Sequence, residues 1–322
     1  MSAPRRHSTR VLALLWAVAA SCVGIEDFFF AGRPASEYRF DEADPSMDGD
    51  LSDPHPTLVP RALREESFVA LADGTPIHVV FARQPEGATR STILFSHGNG
   101  RHLGQFWDRV EVLWSLGYQV MIYDYPGFGR SGGTASEPGM YAAAEVALAA
   151  LASRDDVDPT RIVLYGHSLG AAATYELSVR AMRGEVVARS TSGEDFEVRP
   201  RALVSESAWC SIEEMIRDAA FLDVPRELLS ELRFDNCARI AELRGVPVMM
   251  LHGERDRVVP LRQSELLEGR AVELPIVHRA ADGTHVNLSV VGPPLATIPL
   301  VEGAPRPSER YADWLTSFVP PE

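Results

Sequence analysis

The chain has 322 residues, of which 45% are hydrophobic and 24% are charged, and its formal net charge is −14 at pH 7. This composition is typical of a soluble globular protein, and the length allows one large domain or two ordinary ones. The acidic balance argues against a nucleic-acid partner, because phosphate binding needs a concentrated basic surface and none is apparent in the sequence.

The first 21 residues have the pattern of a secretory signal peptide. MSAPRRHSTR carries three arginines and no acid, and the ten-residue apolar run VLALLWAVAA follows it. That run is too short to span a bilayer as a helix, which takes about 20 apolar residues. A basic region, a short apolar region and small residues after it predict export and cleavage.

Cys22 lies where a bacterial lipoprotein signal places its acylated cysteine. VAASC resembles that lipobox, although the usual leucine three residues before the cysteine is here Ala19. The alternative is ordinary cleavage within AVAAS, which leaves Cys22 in or near the discarded piece. Residues 22–64 are expected to be a lipid-anchored or flexible linker, since residues 31–60 are rich in Pro, Asp and Ser. We therefore expect a cell-envelope lipoprotein that contacts the membrane through its lipid, or otherwise a periplasmic or secreted protein.

Residues 65–322 alternate between short apolar runs and helical stretches. SFVAL and PIHVVFAR, joined by the turn ADGT, predict two antiparallel strands. Six further runs predict strands buried on both faces: STILFSHG, YQVMIYDYPG, RIVLYGHS, RALVSES, VPVMMLHG and AVELPIVH. Because helical stretches separate most of these runs, the chain should form parallel βαβ units. The sequence predicts an α/β domain with an eight-stranded, mostly parallel sheet.

Ser168 stands in the segment GHSLG between an apolar strand and an alanine-rich helix. In such a strand–turn–helix segment the turn is so tight that only glycine fits at the flanking positions, and the serine hydroxyl stands above the sheet edge. The positive N-terminus of the helix points at the same place. Ser168 is therefore the candidate nucleophile. His167 is expected to point away from the reaction and to pack under the turn.

A serine nucleophile needs a histidine base and an acid that orients it, in the chain order serine, acid, histidine. Asp256 and His285 follow in that order, each in a loop just past a predicted strand, where open α/β sheets place their sites. Glu254 is the alternative acid, but it comes too soon after its strand. His278 is the alternative base, but it lies within the last apolar strand and is expected to be a core or surface histidine.

The segment HGNG follows the strand STILFS and supplies the candidate oxyanion loop. We expect the backbone N–H groups of Asn99 and Leu169 to stabilise the developing oxyanion. The alternative for HGNG is a plain glycine turn. Neither H-E-x-x-H nor paired C-x-x-C occurs, so we expect no metal and no cofactor.

In this order, HGNG, YDYPGFGRSGG, GHSLGAA, RFDN, HGERDRVVP and GTHVNL resemble the α/β-hydrolase superfamily. The closest resemblance is to its branch of membrane-associated α/β-hydrolase-domain proteins, related to serine-aminopeptidase-like hydrolases. The resemblance implies the α/β-hydrolase fold with helices on both faces of the sheet, and a structural role for Asp124. It also implies a catalytic role for five residues: Ser168, Asp256, His285, Asn99 and Leu169. The stretches RGEVVARSTSGEDFEVRPRA and SVVGPPLATIPLVEGAPRP are longer than such folds usually have, which weakens substrate analogies.

The segment between the strands RALVSES and VPVMMLHG has room for two or three short helices, which make a minimal lid. Its apolar side chains suit either an acyl pocket or the core. They are Trp209, Met215, Ile216, Phe221 and Leu222. Cys210 and Cys237 flank this segment, and in an oxidising compartment they can pair. The alternative is two small buried side chains that never meet.

These features predict a serine hydrolase that cleaves an ester or thioester of a small-molecule or acyl substrate through an acyl-enzyme on Ser168. Two alternatives stay open. One is a peptidase or amidase that uses the same residues on a harder bond. The other is a non-catalytic binding protein that retains the fold. The sequence names neither the acyl group nor the oligomeric state.

Overall fold

The computed structural model describes residues 30–38, 40, 57–85, 91–100, 102–220, 232–285, 287–289 and 307–322. The predicted signal peptide, Cys22, and the lid residues Phe221 and Leu222 lie outside the described residues.

One eight-stranded sheet organises the described residues, in the order β1-β2-β4-β3-β5-β8-β9-β10. Its strands are β1 (Arg64–Ala70), β2 (Pro76–Ala82), β3 (Thr92–Ser96), β4 (Gln119–Tyr123), β5 (Ile162–His167), β8 (Ala202–Glu206), β9 (Val248–Gly253) and β10 (Ile276–Ala280). β2 pairs antiparallel with β1 and β4, and the other pairs are parallel. The predicted fold class is therefore confirmed, and the C-terminal ends of the parallel strands meet at one edge of the sheet.

Helices pack on both faces of the sheet. The helices of the described residues are α1 (Trp107–Ser115), α2 (Glu137–Ala152), α3 (Leu169–Met182), α4 (Ile212–Ala220), α5 (Asn236–Glu242), α6 (Leu261–Arg270) and α7 (Glu309–Phe318). Alternate residues of β3 point to opposite faces of the sheet. Leu94 packs in the hydrophobic cluster on one face, whereas Ile93 and Phe95 pack in the cluster on the other. None of the described helices is long and apolar enough to span a bilayer.

A second, two-stranded sheet joins β6 (Val187–Arg189) to β7 (Asp195–Glu197) in antiparallel fashion. It occupies the stretch between α3 and β8 that sequence analysis identified only as unusually long. Each strand has three residues with exposed ends, which is too short for an alternating pattern to stand out.

The N-terminal strap, residues 30–38, lies against the domain, in contrast to the flexible linker that its composition suggested. Gly129 donates its N–H to the carbonyl of Arg33 at 2.9 Å and accepts the N–H of Ala35 at 2.8 Å. Just beyond the strap, the aromatic side chain of Phe40 is buried, and so is Val59. The average composition hides these apolar contacts, because a few aromatic side chains suffice to bind an otherwise polar segment.

Cys210 and Cys237 form a disulfide, with their Cα atoms 4.8 Å apart. The pairing that the sequence left open is thus present. The backbone also bridges the two positions, because Cys237 donates its N–H to the carbonyl of Cys210 at 2.9 Å. Together these bonds join the chain just before α4 to the start of α5.

Candidate active site

Ser168 occupies a strained turn between β5 and α3, with φ 53° and ψ −116°. Such a backbone conformation is uncommon for a residue with a side chain, and it persists only where the surroundings fix it. One fixing contact is the Ser168 N–H, which donates to the carbonyl of Glu206 at 2.9 Å. The turn presents the hydroxyl at the C-terminal edge of the sheet.

The two glycines that flank Ser168 permit close approach of the backbone. A Cβ at Gly170 would overlap the carbonyl of Ser96 on the neighbouring strand β3, and a Cβ at Gly166 would overlap Thr174 in α3. Glycine is therefore required at both positions by packing. Side chains at these two positions would clash, as the sequence predicted.

The structure brings the three predicted triad side chains together. His285 Nε2 lies 3.0 Å from Ser168 Oγ, and His285 Nδ1 lies 2.8 Å from Asp256 Oδ2. With Nδ1 protonated toward the carboxylate, Nε2 can accept the proton of the serine hydroxyl. The loops that carry Asp256 and His285 are tied together, because the Arg255 N–H donates to the carbonyl of Gly283 at 2.9 Å.

Asp256 is held as a carboxylate by its surroundings. Its Oδ1 accepts the backbone N–H groups of Val258 at 2.9 Å and Val259 at 2.8 Å, which leaves Oδ2 for His285. Burial alone raises the pKa of Asp256, but the hydrogen bond and charge of His285, with the two N–H groups, bring that pKa below its ordinary value. The residue is therefore suited to orient the imidazole and to stabilise its protonated form.

The alternative acid and base lie elsewhere. The side chain of Glu254 is exposed, whereas Asp256 is buried. His278 stacks on Trp314, with ring centroids 4.6 Å apart and ring planes at 10°. His278 is thus a packing residue of β10 against α7.

The two residues expected to supply the oxyanion donors come from the nucleophile turn and from the strand next to it. Leu169 is the first residue of α3, so its N–H points out of the helix start. Asn99 follows β3, which pairs with β5 beside the nucleophile turn. A Cβ at Gly98 would lie 2.7 Å from the ring of His167, so the oxyanion loop (residues 97–100) rests directly on that turn.

His167 has a part in the site that sequence analysis did not foresee. It is buried under the turn, as expected, yet its Nε2 donates to the backbone carbonyl of His285 at 2.9 Å. The two imidazole rings lie 5.1 Å apart. Burial lowers the pKa of His167 well below its ordinary value, and the nearby charges of Arg109 and His285 act in the same direction. His167 is therefore a neutral donor that holds the loop of the candidate base.

A buried ion pair lies next to His167. Arg109 in α1 donates from Nη1 to both carboxylate oxygens of Glu206, at 2.8 and 2.9 Å. The hydroxyl of Tyr165 also donates to Glu206, at 2.6 Å, and Arg109 Nη2 lies 3.4 Å from His167 Nε2. No motif signals this pair, because only the folded sheet brings α1 next to the end of β8.

The described lid residues belong to the core. Trp209 is buried and donates its indole N–H to the carbonyl of Phe234 at 3.3 Å, while Met215 and Ile216 pack against the same core cluster. Across the described ranges, no group of three or more His, Cys, Asp or Glu side chains is arranged to hold a metal ion.

Comparisons with known proteins agree with this architecture. A model of the Alpha/beta hydrolase family matches residues 93–293. The uncharacterized protein YfhR of Salmonella typhi is 31% identical over 238 residues, which cover 71% of this chain and 77% of that protein. YfhR of Escherichia coli K12 is 28% identical over 222 residues, covering 67% and 71%.

Solved structures share the fold at low identity. An alpha-beta hydrolase from Vibrio vulnificus has a TM-score of 0.55 and 15% identity, covering 79% of this chain and 81% of that chain. The esterase Pf2001 of Pyrococcus furiosus has a TM-score of 0.53 and 17% identity, covering 73% and 90%. With the family match spanning more than half of the sequence, the chain belongs to the alpha/beta hydrolase family.

Proposed function

We propose that the protein is a serine hydrolase that cleaves a carboxylic ester or thioester through an acyl-enzyme on Ser168. One observation carries the proposal: a continuous hydrogen-bonded line runs from Ser168 Oγ through His285 to Asp256, with steps of 3.0 and 2.8 Å. A nucleophile, its base and the group that orients the base within these distances form the geometry of acyl transfer.

In the first half-reaction His285 Nε2 takes the proton of Ser168 as Oγ attacks the carbonyl carbon. The tetrahedral oxyanion would lie at the backbone N–H groups of Asn99 and Leu169. The C–O or C–S bond then breaks, and the imidazolium returns the proton to the leaving alcohol or thiol. In the second half-reaction His285 deprotonates a water, which attacks the acyl carbon. The bond from that carbon to Ser168 Oγ then breaks, the imidazolium returns the proton to Oγ, and the carboxylic acid leaves.

We propose an ester or thioester because alkoxide and thiolate leave more readily than an amine. A peptidase or amidase would use the same steps. Only the preference among substrates distinguishes it from an esterase or thioesterase. A panel of p-nitrophenyl acyl esters of increasing chain length, matched acyl thioesters and matched anilides tests the preference. Hydrolysis of the esters or thioesters well above the anilides is expected, and faster cleavage of the anilides would overturn the ester assignment.

We further propose that the chain is exported and anchored through Cys22, and that it belongs to the membrane-associated branch suggested by its motifs. The support is the order of basic, apolar and small residues before Cys22. Cys22→Ser should move the protein from the membrane pellet to the soluble fraction without changing its specific activity, because a lipoprotein cysteine supplies the acyl chains that stable anchoring needs. Failure of labelled palmitate to enter the wild-type chain would reject the anchor.

A further inference from the structure

The N-terminal strap reaches the oxyanion loop directly. The backbone N–H of Ala31 donates to Oδ1 of Asn99 at 2.7 Å, across 68 positions of sequence. Asn99 is the residue whose own backbone N–H is the proposed oxyanion donor. Because this bond fixes the Asn99 side chain, it restricts the backbone conformation of Asn99 and therefore the direction of the Asn99 N–H.

The other end of the strap contacts the carboxylate of Asp124, which also binds the backbone just after the oxyanion loop. The hydroxyl of Tyr38 donates to Oδ2 of Asp124, and Oδ1 of Asp124 accepts the backbone N–H of Leu103 at 2.6 Å. Asp124 is fully buried. Tyr38 is itself fixed, because its oxygen accepts the N–H of Arg130 at 2.8 Å.

Two further sets of contacts hold the strap in place, one in its middle and one at its first residue. Its middle pairs with Gly129 through two backbone hydrogen bonds, at 2.9 and 2.8 Å. Phe30 packs edge-on against Phe234 and Phe128, with centroid distances of 5.8 and 6.4 Å. Edge-to-face aromatic pairs of this kind stabilise a contact beyond its buried area. The strap can therefore act as a fixed support for the loop.

We propose that the N-terminal strap is a positioning element of the active site, in which Ala31 and Tyr38 hold the oxyanion loop in the geometry that acyl transfer needs. The catalytic consequence rests on the proposed function. The strap lies outside residues 93–293, which match the family model. Oxyanion donors act only when they are aimed at the developing charge, and small misplacements reduce rates strongly. Ala31 and Tyr38 are positioning residues, because they act through Asn99 and Asp124.

Ala31→Pro is the sharpest test, because proline lacks the donated N–H, and Ala31→Gly is the matched control that retains it. Ala31→Pro should lower kcat about tenfold with little change in KM, below the about 10²–10³-fold cost of losing an oxyanion donor outright. Ala31→Gly should stay within about twofold of the wild type. In an Asn99→Ala background the effect of Ala31→Pro should vanish, because the acceptor is already gone.

Hydrogen exchange gives a readout that does not depend on activity. The peptide that contains residues 97–103 should exchange faster in Ala31→Pro than in Ala31→Gly. Tyr38→Phe, which removes only the hydroxyl, should also speed exchange there if Ala31→Pro does not fold.

Equal exchange and equal kcat in Ala31→Pro and Ala31→Gly, or an undiminished effect in the Asn99→Ala background, would overturn the inference. A wild type without hydrolase activity would reject the proposed function instead, and exchange would still decide whether the strap holds the loop.

Discussion

His167 donates a hydrogen bond of 2.9 Å to the backbone carbonyl of His285, the candidate base. The residue directly before the nucleophile thus fixes the loop that delivers the base to the nucleophile. Because this bond joins the nucleophile turn to the backbone of His285, we expect a displacement of His167 to move the loop that carries the base. The geometry of the Ser168–His285 pair therefore depends on a side chain that takes no part in proton transfer.

His167→Ala should lower kcat about tenfold or more and leave KM nearly unchanged, because only the placement of the base is lost. His167→Gln retains an N–H that can reach the carbonyl and should recover most of the rate. Steady-state kinetics on the best ester of the panel measure both variants. Equal loss in the two variants would show that His167 contributes packing alone.

The free energy of unfolding should depend on pH through His167. Its pKa is lowered in the folded protein by burial first, and then by Arg109, His285 and His97, so the folded state keeps it neutral while the unfolded chain protonates near pH 6.5. Above that pH neither state binds the proton, and as the pH falls below it the unfolded state gains the proton and stability declines.

Urea unfolding at pH 7.5 and pH 5.0 measures this effect in the wild type and in His167→Gln. The wild type should lose stability more steeply, by up to about 1.4 kcal/mol per pH unit, which is the slope of one proton. His78, His252 and His278 also have lowered pKa values, with burial as the main cause, so the variant should retain part of the slope. If the free energy of unfolding fell equally with pH in the two proteins, His167 would not be the neutral buried histidine inferred here.

Much of the geometry of the candidate site was predictable because its signals are local. The strand–turn–helix around Ser168 and the positions of Asp256 and His285 just past strands follow from short sequence patterns and chain order. The bond from His167 to His285 joins residues 118 positions apart, so no local pattern contains it. The Arg109–Glu206 pair was hidden for the same reason, since it depends on how α1 docks on the sheet.

The N-terminal strap was missed for a different physical reason. Its composition averages to that of a polar linker, yet its binding depends on single contacts, such as the hydroxyl of Tyr38 on Asp124. Composition predicts whether a segment can fold on its own, and not whether a finished domain offers it a surface.

Asp256→Asn should lower kcat by about 10³–10⁴-fold, because the amide favours the wrong imidazole tautomer and cannot stabilise the imidazolium. Glu254→Gln is the matched control two residues away, and its exposed side chain should matter less than about twofold. Circular dichroism should show both variants folded. A large loss in Glu254→Gln with a small one in Asp256→Asn would reverse the assignment of the acid.

The Cys210–Cys237 disulfide should stabilise the fold by about 3–4 kcal/mol, as the chain-entropy model gives for a loop of this length. The double variant Cys210→Ser/Cys237→Ser should unfold at lower temperature, and a reductant should lower the Tm of the wild type but not that of the variant. Peptide mapping of the denatured, unreduced protein checks the bond itself. Two free thiols at these positions would contradict it.

The hydrolysis rate of Ser168→Ala shows whether Ser168 is the nucleophile. Ser192→Ala, an exposed serine in the β6–β7 turn, is the control for serine loss in general. Ser168→Ala should stay folded and lose about 10⁶-fold in kcat on the best ester, retaining only the residual rate that binding and oxyanion contacts supply. A Ser168→Ala protein that hydrolyses this ester within about tenfold of the wild-type rate would show that Ser168 is not the nucleophile.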